Sequence, residues 1–219
     1  MFKFLKKKTP NPTRKTTDLK ISVVMPVYLG YYEGCADGRE GRFRLAIRSF
    51  FNQKHENKQL IIVSDGCDIA EKIVDEEFCE PSIIFKKIEK QPLFSGNVRA
   101  EGIKLASGDV ICYLDSDDVL GENHLTTIAN GFDDEKLDWV YYNDLIYQPN
   151  KPMVRDVQLV LGLAGTSSIA HRADCAATWS GCNNYNHDWL FIKRLMALNP
   201  NYKKIFGAEY LVCHIPKVL

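Results

Sequence analysis

Apolar and polar positions alternate along residues 20–132 with two different periods. Ile21-Ser-Val-Val-Met25 is a β-branched apolar run closed by Pro26, and Leu60-Ile-Ile-Val63 is a second one, too short for a helix. Continuous runs of this kind fit strands of a parallel sheet buried on both faces. Between them, Arg42 to Gln53 carries apolar residues at 43, 46, 47, 50 and 51, a helical spacing. Asp68 with Glu71 three residues on has the form of a capping box opening a helix to about Phe78. Ser82 to Ile88 predicts a third strand, Asn97 to Ala106 a helix, Val110 to Leu114 a fourth strand, and Leu125, Ile128, Ala129 and Phe132 a helix after it. Strands alternating with helices predict crossover units in an α/β sandwich with a mostly parallel sheet. Ligands of such sheets bind at the carboxyl ends of the strands, near a switch in strand order. That selects the residues just after Met25, Val63 and Leu114.

Beyond residue 133 the pattern loosens. Leu137 to Tyr142 predicts a strand, Gly162 to Ser168 a flexible polar stretch, Asp188 to Leu198 a helix and Tyr210 to Ile215 a last strand. Irregular segments carried on a scaffold are where binding residues are often placed.

Composition changes this picture little. With 219 residues the chain fits one domain, 45% of residues are apolar, and 28 basic side chains balance 28 acidic ones, so no global field favours nucleic acid. The basic charge is nevertheless concentrated in residues 1–19, with Lys3, Lys6, Lys7, Lys8, Arg14 and Lys15 beside Pro10 and Pro12. That stretch predicts a disordered arm, able to make weak peripheral contact with an anionic membrane through Phe2, Phe4 and Leu5. Seven cysteines without a C-x-x-C pair and without an export signal predict reduced thiols and a cytoplasmic setting, extending to the inner face of the membrane.

The candidate chemistry lies in Ile111-Cys-Tyr-Leu-Asp115-Ser-Asp117-Asp118, an apolar strand entering three acids. In an extended chain Asp115 and Asp117 would share a side. Converging carboxylates call for a hard divalent cation, Mg²⁺ or Mn²⁺, which leaves coordination positions for phosphate oxygens. A solvated acidic turn with Asp118 capping the next helix is the bland alternative. An EF-hand is excluded, because Leu120 stands where its glycine belongs. Haloacid-dehalogenase-like phosphatases, with Asp115 as nucleophile, share the local pattern but usually carry it on the first strand.

The longer block Asn97-Val-Arg99-Ala-Glu-Gly102-Ile103-Lys-Leu-Ala106-Ser-Gly108-Asp109-Val-Ile-Cys-Tyr-Leu114-Asp115-Ser-Asp117-Asp118 resembles the family 2 glycosyltransferases of the GT-A fold. Ile21 to Tyr28 and Leu60 to Gly66 resemble that family's first two strand blocks in the same order, with Ser64 where an acid is usual. The resemblance implies a GT-A (Rossmann-like) three-layer α/β sandwich over residues 20–219. Residues 20–120 would form its nucleotide-binding half and 121–219 its acceptor-side half. It implies inverting transfer from a nucleotide-sugar donor, UDP-linked, to a carbohydrate or glycolipid acceptor. Pro26, Tyr28, Asp65, Arg99, Asp115 and Ser116 would then bind the nucleotide sugar. Asp65 would accept the uracil imide N–H, and Arg99 would face the base or diphosphate. Asp117 and Asp115 would hold the Mn²⁺ or Mg²⁺, with His214 as a third ligand. Asp188, in Asn186-His187-Asp188 where the family has a Glu-Asp pair, would be the catalytic base. The loop Gly30 to Gly41 reads either as a flap over the nucleotide or as a plain insertion, and Trp179 and Trp189 either as acceptor-stacking rings or as core. A catalytically idle relative that binds glycan or nucleotide is the remaining alternative.

Overall fold

The computed structural model describes residues 18–92, 94–182 and 184–214. The basic arm expected over residues 1–19 therefore lies outside them except for Asp18 and Leu19, and Leu19 is already packed into the core. The elements run β1 (Ile21–Val27), α1 (Arg39–Phe51), β2 (Lys58–Asp65), α2 (Asp68–Glu77), β3 (Ile83–Ile88), α3 (Gly96–Ile103), β4 (Val110–Tyr113), β5 (Val119–Leu120), α4 (His124–Gly131), β6 (Trp139–Tyr142), β7 (Asp144–Ile146), β8 (Met153–Arg155), β9 (Ile169–Arg172), α5 (His187–Leu198), β10 (Tyr202–Ile205) and β11 (Tyr210–Val212).

Seven strands form the central sheet in the order β10-β6-β9-β4-β1-β2-β3. Every neighbouring pair is parallel except the two made by β9, so six strands run one way and β9 alone runs back. The apolar runs lack alternation because both faces are covered. Ile21, Val23, Met25 and Val27 of β1 join one cluster with side chains of α1, α2 and α4. Val24 joins another with α3 and α5. This is a three-layer sandwich, as expected. At Gly102 an added Cβ would come within 2.5 Å of Val24 Cγ1, so α3 lies on the sheet at a distance only glycine permits. A second sheet, β5-β11-β7-β8, covers the carboxyl-end side.

Several local expectations change. The first helix starts at Arg39, after Gly38 at φ 63°, three residues earlier than its periodicity indicated. The capping box does not form. Cys67 is the N-cap of α2, its N–H bonds Ser64 Oγ at 3.0 Å, and Asp68 and Glu71 turn to Lys87 instead. The stretch read as flexible and polar contains a 3-10 turn at Thr166–Ser168 whose three residues are buried. All seven cysteines are free. Among the described residues no helix is long and apolar enough to cross a membrane.

Candidate active site

The strand order reverses between β1 and β4: the chain steps outward through β2 and β3, then returns to the other side of β1. Ligands of such sheets bind at the carboxyl ends of the strands beside that reversal, where Asp65 ends β2 and Asp115 follows β4.

The acidic cluster is a turn and not an extension of β4. Asp118 N–H bonds Asp115 O at 3.1 Å, so the same-side reasoning for Asp115 and Asp117 does not describe it. Asp118 is no helix cap either, since β5 follows it. Its buried carboxylate accepts the Tyr210 hydroxyl at 2.9 Å and the Cys213 N–H at 2.7 Å. The same hydroxyl accepts the Asp115 N–H at 3.0 Å, so one tyrosine of β11 fixes both ends of the turn. Burial, followed by the charges of Asp115 and Asp117, pushes the Asp118 carboxyl well above its ordinary range. Burial and then Asp115 also raise Asp117, against the opposing pull of His214 and Arg39. His214 itself is placed with its Nε2 2.9 Å from Gly34 O.

These groups suit a hard divalent ion in their chemistry: they offer oxygen donors, and the charge of Asp115 still raises the Asp117 carboxyl although Arg99 pairs with Asp115. Among the described residues no three His, Cys, Asp or Glu side chains are arranged to enclose an ion. A cation here would complete its shell with phosphate and water oxygens, the usual habit of Mg²⁺. Ser116 is half-buried within the turn.

Arg99 is fully buried. Its Nη2 donates to Asp115 Oδ1 at 2.6 Å and to Thr166 Oγ1 at 3.1 Å. Its Nη1 lies 3.1 Å from His187 Nε2 and 3.6 Å from Asp188 Oδ1. The guanidinium thus bridges the acidic turn and Asp188. Trp179 lies beneath it, 5.3 Å from the guanidinium carbon to the ring centre. That indole is buried, stacks on Phe191 at 4.1 Å and donates to Tyr113 Oη at 3.0 Å. The Tyr113 hydroxyl in turn meets His171 Nε2 at 2.8 Å. Trp179 is core and unavailable for acceptor stacking, and Trp189 packs half-buried against the same cluster.

Asp188 is the second residue of α5, whose N-cap is Asn186, so it does not serve as the cap. Its Oδ1 is sealed from solvent, 3.0 Å from His187 Nε2. Its Oδ2 lies 3.4 Å from the Thr166 N–H, at the rim. Burial alone would raise this carboxyl, but Arg99, His187 and the Thr166 N–H outweigh it and hold Asp188 well below the usual carboxylate range.

At the end of β2, Asp65 is engaged on both oxygens. Oδ1 accepts the Gln91 N–H at 2.6 Å and Oδ2 pairs with Lys90 Nζ at 2.7 Å. The same ammonium stands 4.5 Å over the Tyr28 ring. Gly66, at φ 68°, closes the turn against Lys90, whose backbone N would lie 2.9 Å from an added Cβ. Pro26 is buried within β1, opposite Val63. The loop after β1 is tied down by Arg39, which donates to the carbonyls of Tyr28 and Gly30 and lies 4.7 Å over the Tyr32 ring. Of the segment Gly30 to Gly41, the last three residues belong to α1.

Sequence reasoning missed Lys90, Thr166, Tyr210 and Arg39. Lys90 follows β3 as Asp65 ends β2, so the strand-end rule applied to a fourth strand would have found it. Thr166, Tyr210 and Arg39 had no such signal.

The model of the family described as "Glycosyl transferase family 2" matches residues 22–172, and the chain belongs to that family. The match runs through the acidic turn and removes the phosphatase alternative. A Rickettsia bellii protein described as an uncharacterized glycosyltransferase is 36% identical over 110 residues, 49% of this chain and 14% of that protein. The minor teichoic acid biosynthesis protein GgaB of Bacillus subtilis is 32% identical over 127 residues, 56% of this chain and 13% of that one. Residues 1–349 of S. aureus TarS in complex with UDP-GlcNAc superpose with a TM-score of 0.67 at 16% identity, covering 90% of this chain and 59% of that one. The chain thus spans less than two thirds of the length of these relatives, and the TarS likeness establishes the GT-A fold.

Proposed function

We propose that this chain transfers a sugar from a uridine-diphosphate donor to an acceptor hydroxyl, with inversion and with a divalent cation, in glycan synthesis. The observation that carries the reading is Arg99 joining the Asp115–Asp117 turn to Asp188, with Asp65 at the end of β2 on the same edge of the sheet as that turn. The UDP-GlcNAc complex of TarS, a protein of the same fold, supports a nucleotide-sugar donor.

In this reading Asp65 accepts the uracil N3–H and Tyr28 faces the base. Asp115 and Asp117, with His214 beside them, would hold a Mn²⁺ or Mg²⁺ that offsets the charge of the departing diphosphate. Ser116 and the Pro26 end of β1 line the donor. Asp188 receives the acceptor proton at Oδ2, its rim-facing oxygen. The acceptor oxygen bonds to the anomeric carbon from the face opposite the diphosphate, and the bond to the diphosphate oxygen breaks. Because Arg99 keeps Asp188 ionised, the carboxylate is free to accept that proton. It is a weak base, so the proton moves as the new C–O bond makes the hydroxyl strongly acidic. Reduced cysteines and the basic segment support a cytoplasmic placement against an anionic membrane face.

Thermal-shift screening of UDP, GDP, CDP and dTDP sugars with Mn²⁺, followed by nucleoside-diphosphate release, tests this. Uridine donors should stabilise the fold and turn over. Stabilisation by other bases alone would refute the role given to Asp65, and binding without turnover would favour the idle relative.

A further inference from the structure

Phe94, between β3 and α3, has φ 56° and is the one non-glycine residue at positive φ among the described residues. That conformation is strained for an aromatic residue, and the ring it carries is 39% exposed. Tyr185, 65% exposed, stands edge-on to it at 6.3 Å between ring centres. Phe94 also lies 5.5 Å from the His187 ring, at an interplanar angle of 32°. His187 in turn reaches Asp188 Oδ1 at 3.0 Å. An aromatic surface therefore starts at the candidate base and runs outward to solvent. Neither Phe94 nor Tyr185 belongs to a core cluster, so packing does not account for the strained, exposed ring.

Its chemistry is mixed. Asn184 and Asn186 are exposed around the rings, Ser95 Oγ lies 3.4 Å from His187 Nε2, and Tyr185 carries its own hydroxyl. A pyranose matches such a surface, with C–H groups to lay on aromatic faces and hydroxyls to meet amides at the edge. An alkyl chain would cover those amides without satisfying them.

We propose that Phe94, Tyr185 and His187 form an acceptor subsite, and that the acceptor presents a pyranose stacked there with its attacking hydroxyl toward Asp188. This rests on the transfer reading above.

Saturation-transfer NMR can test it on wild type, Phe94→Asn, Tyr185→Ala and Tyr185→Phe. The probes are methyl β-glucoside, methyl β-galactoside and methyl N-acetyl-β-glucosaminide, with decyl phosphate as the lipid-like control. Asparagine tolerates positive φ, and Tyr185→Ala alters an exposed side chain, so folding is kept in at least one variant. Calorimetry with UDP on the same samples reads the donor side separately. At least one pyranoside should receive saturation from aromatic protons in wild type. The signal should fall about fivefold or more in Phe94→Asn and Tyr185→Ala and be retained in Tyr185→Phe. Equal signals in all four proteins, no pyranoside signal in wild type, or decyl phosphate taking the signal in place of pyranosides would each overturn the proposal. Pyranoside contact that persists in a wild type unable to bind UDP would sink the transfer reading and leave the saccharide site standing.

Discussion

Asp117→Asn should raise stability and abolish function at once. Cα atoms within one turn lie within roughly 7 Å of each other, and like charges at that separation in an effective dielectric of about 20 repel by roughly 2 kcal/mol. The Asp115 side chain is 35% exposed and pairs with Arg99, and discounting for both leaves about 1 kcal/mol. For a chain of this size that is a rise in Tm of about 2–4 °C. The raised Asp117 carboxyl fixes the pH dependence, because the folded state binds its proton more tightly than the unfolded chain does. The penalty in wild type is therefore absent below the unfolded value of 3.8 and develops as pH rises through the folded value. The two proteins should melt together near pH 3, with the variant ahead at pH 7 in EDTA. With Mn²⁺ and UDP at about 100 times Kd, wild type alone should gain about 2.7 kcal/mol and overtake it. Scanning fluorimetry under these conditions, with UDP-sugar turnover alongside, is the assay. A variant melting below wild type in EDTA would refute the repulsion argument, and unchanged turnover would refute the assignment of Asp117.

Asp188→Asn should lower kcat for transfer by about 10²–10⁴ while leaving UDP affinity within a factor of two, read by steady-state kinetics and calorimetry. Lys90→Met should weaken UDP binding about tenfold, since in the proposed donor pose the ammonium that pairs with Asp65 over Tyr28 donates to a uracil carbonyl; unchanged calorimetric affinity would exclude that contact. Burial depresses His171 from 6.5 to about 4, so the unfolded chain binds the extra proton in between and stability should fall as pH drops from 6.5 toward 4. His171→Gln should flatten the slope of chemical-denaturation midpoints over that window.

The sheet centre was readable because β1, β2 and β4 are buried on both faces and contain little else but apolar residues. β5 and β7 to β10 have two to four residues each, too few for any period to show, and β9 runs against its neighbours, whereas β11 was read within Tyr210 to Ile215. Asp65, Asp115 and Asp117 stood out because strand ends mark where ligands of such sheets bind. The true setting of Arg99 did not. Its partners Thr166 and His187 lie 67 and 88 residues away, and nothing in an eight-residue helix shows that its arginine points inward. Phe94 was hidden for another reason, since its backbone angle is set by the turn between β3 and α3.

The hydroxyl of Tyr210 bears on how the protein comes to exist. It joins Asp115 and Asp118 across 95 and 92 residues of chain, so the acidic turn takes its final shape only after β11 has docked. A ribosome that has released residues 20–120 has produced the strands of the nucleotide half without the bond that sets its turn. Closing a loop of that length is among the slower steps open to a folding domain. Competence to bind a donor should therefore appear late in synthesis, and the nucleotide half excised at residue 120 should not acquire it.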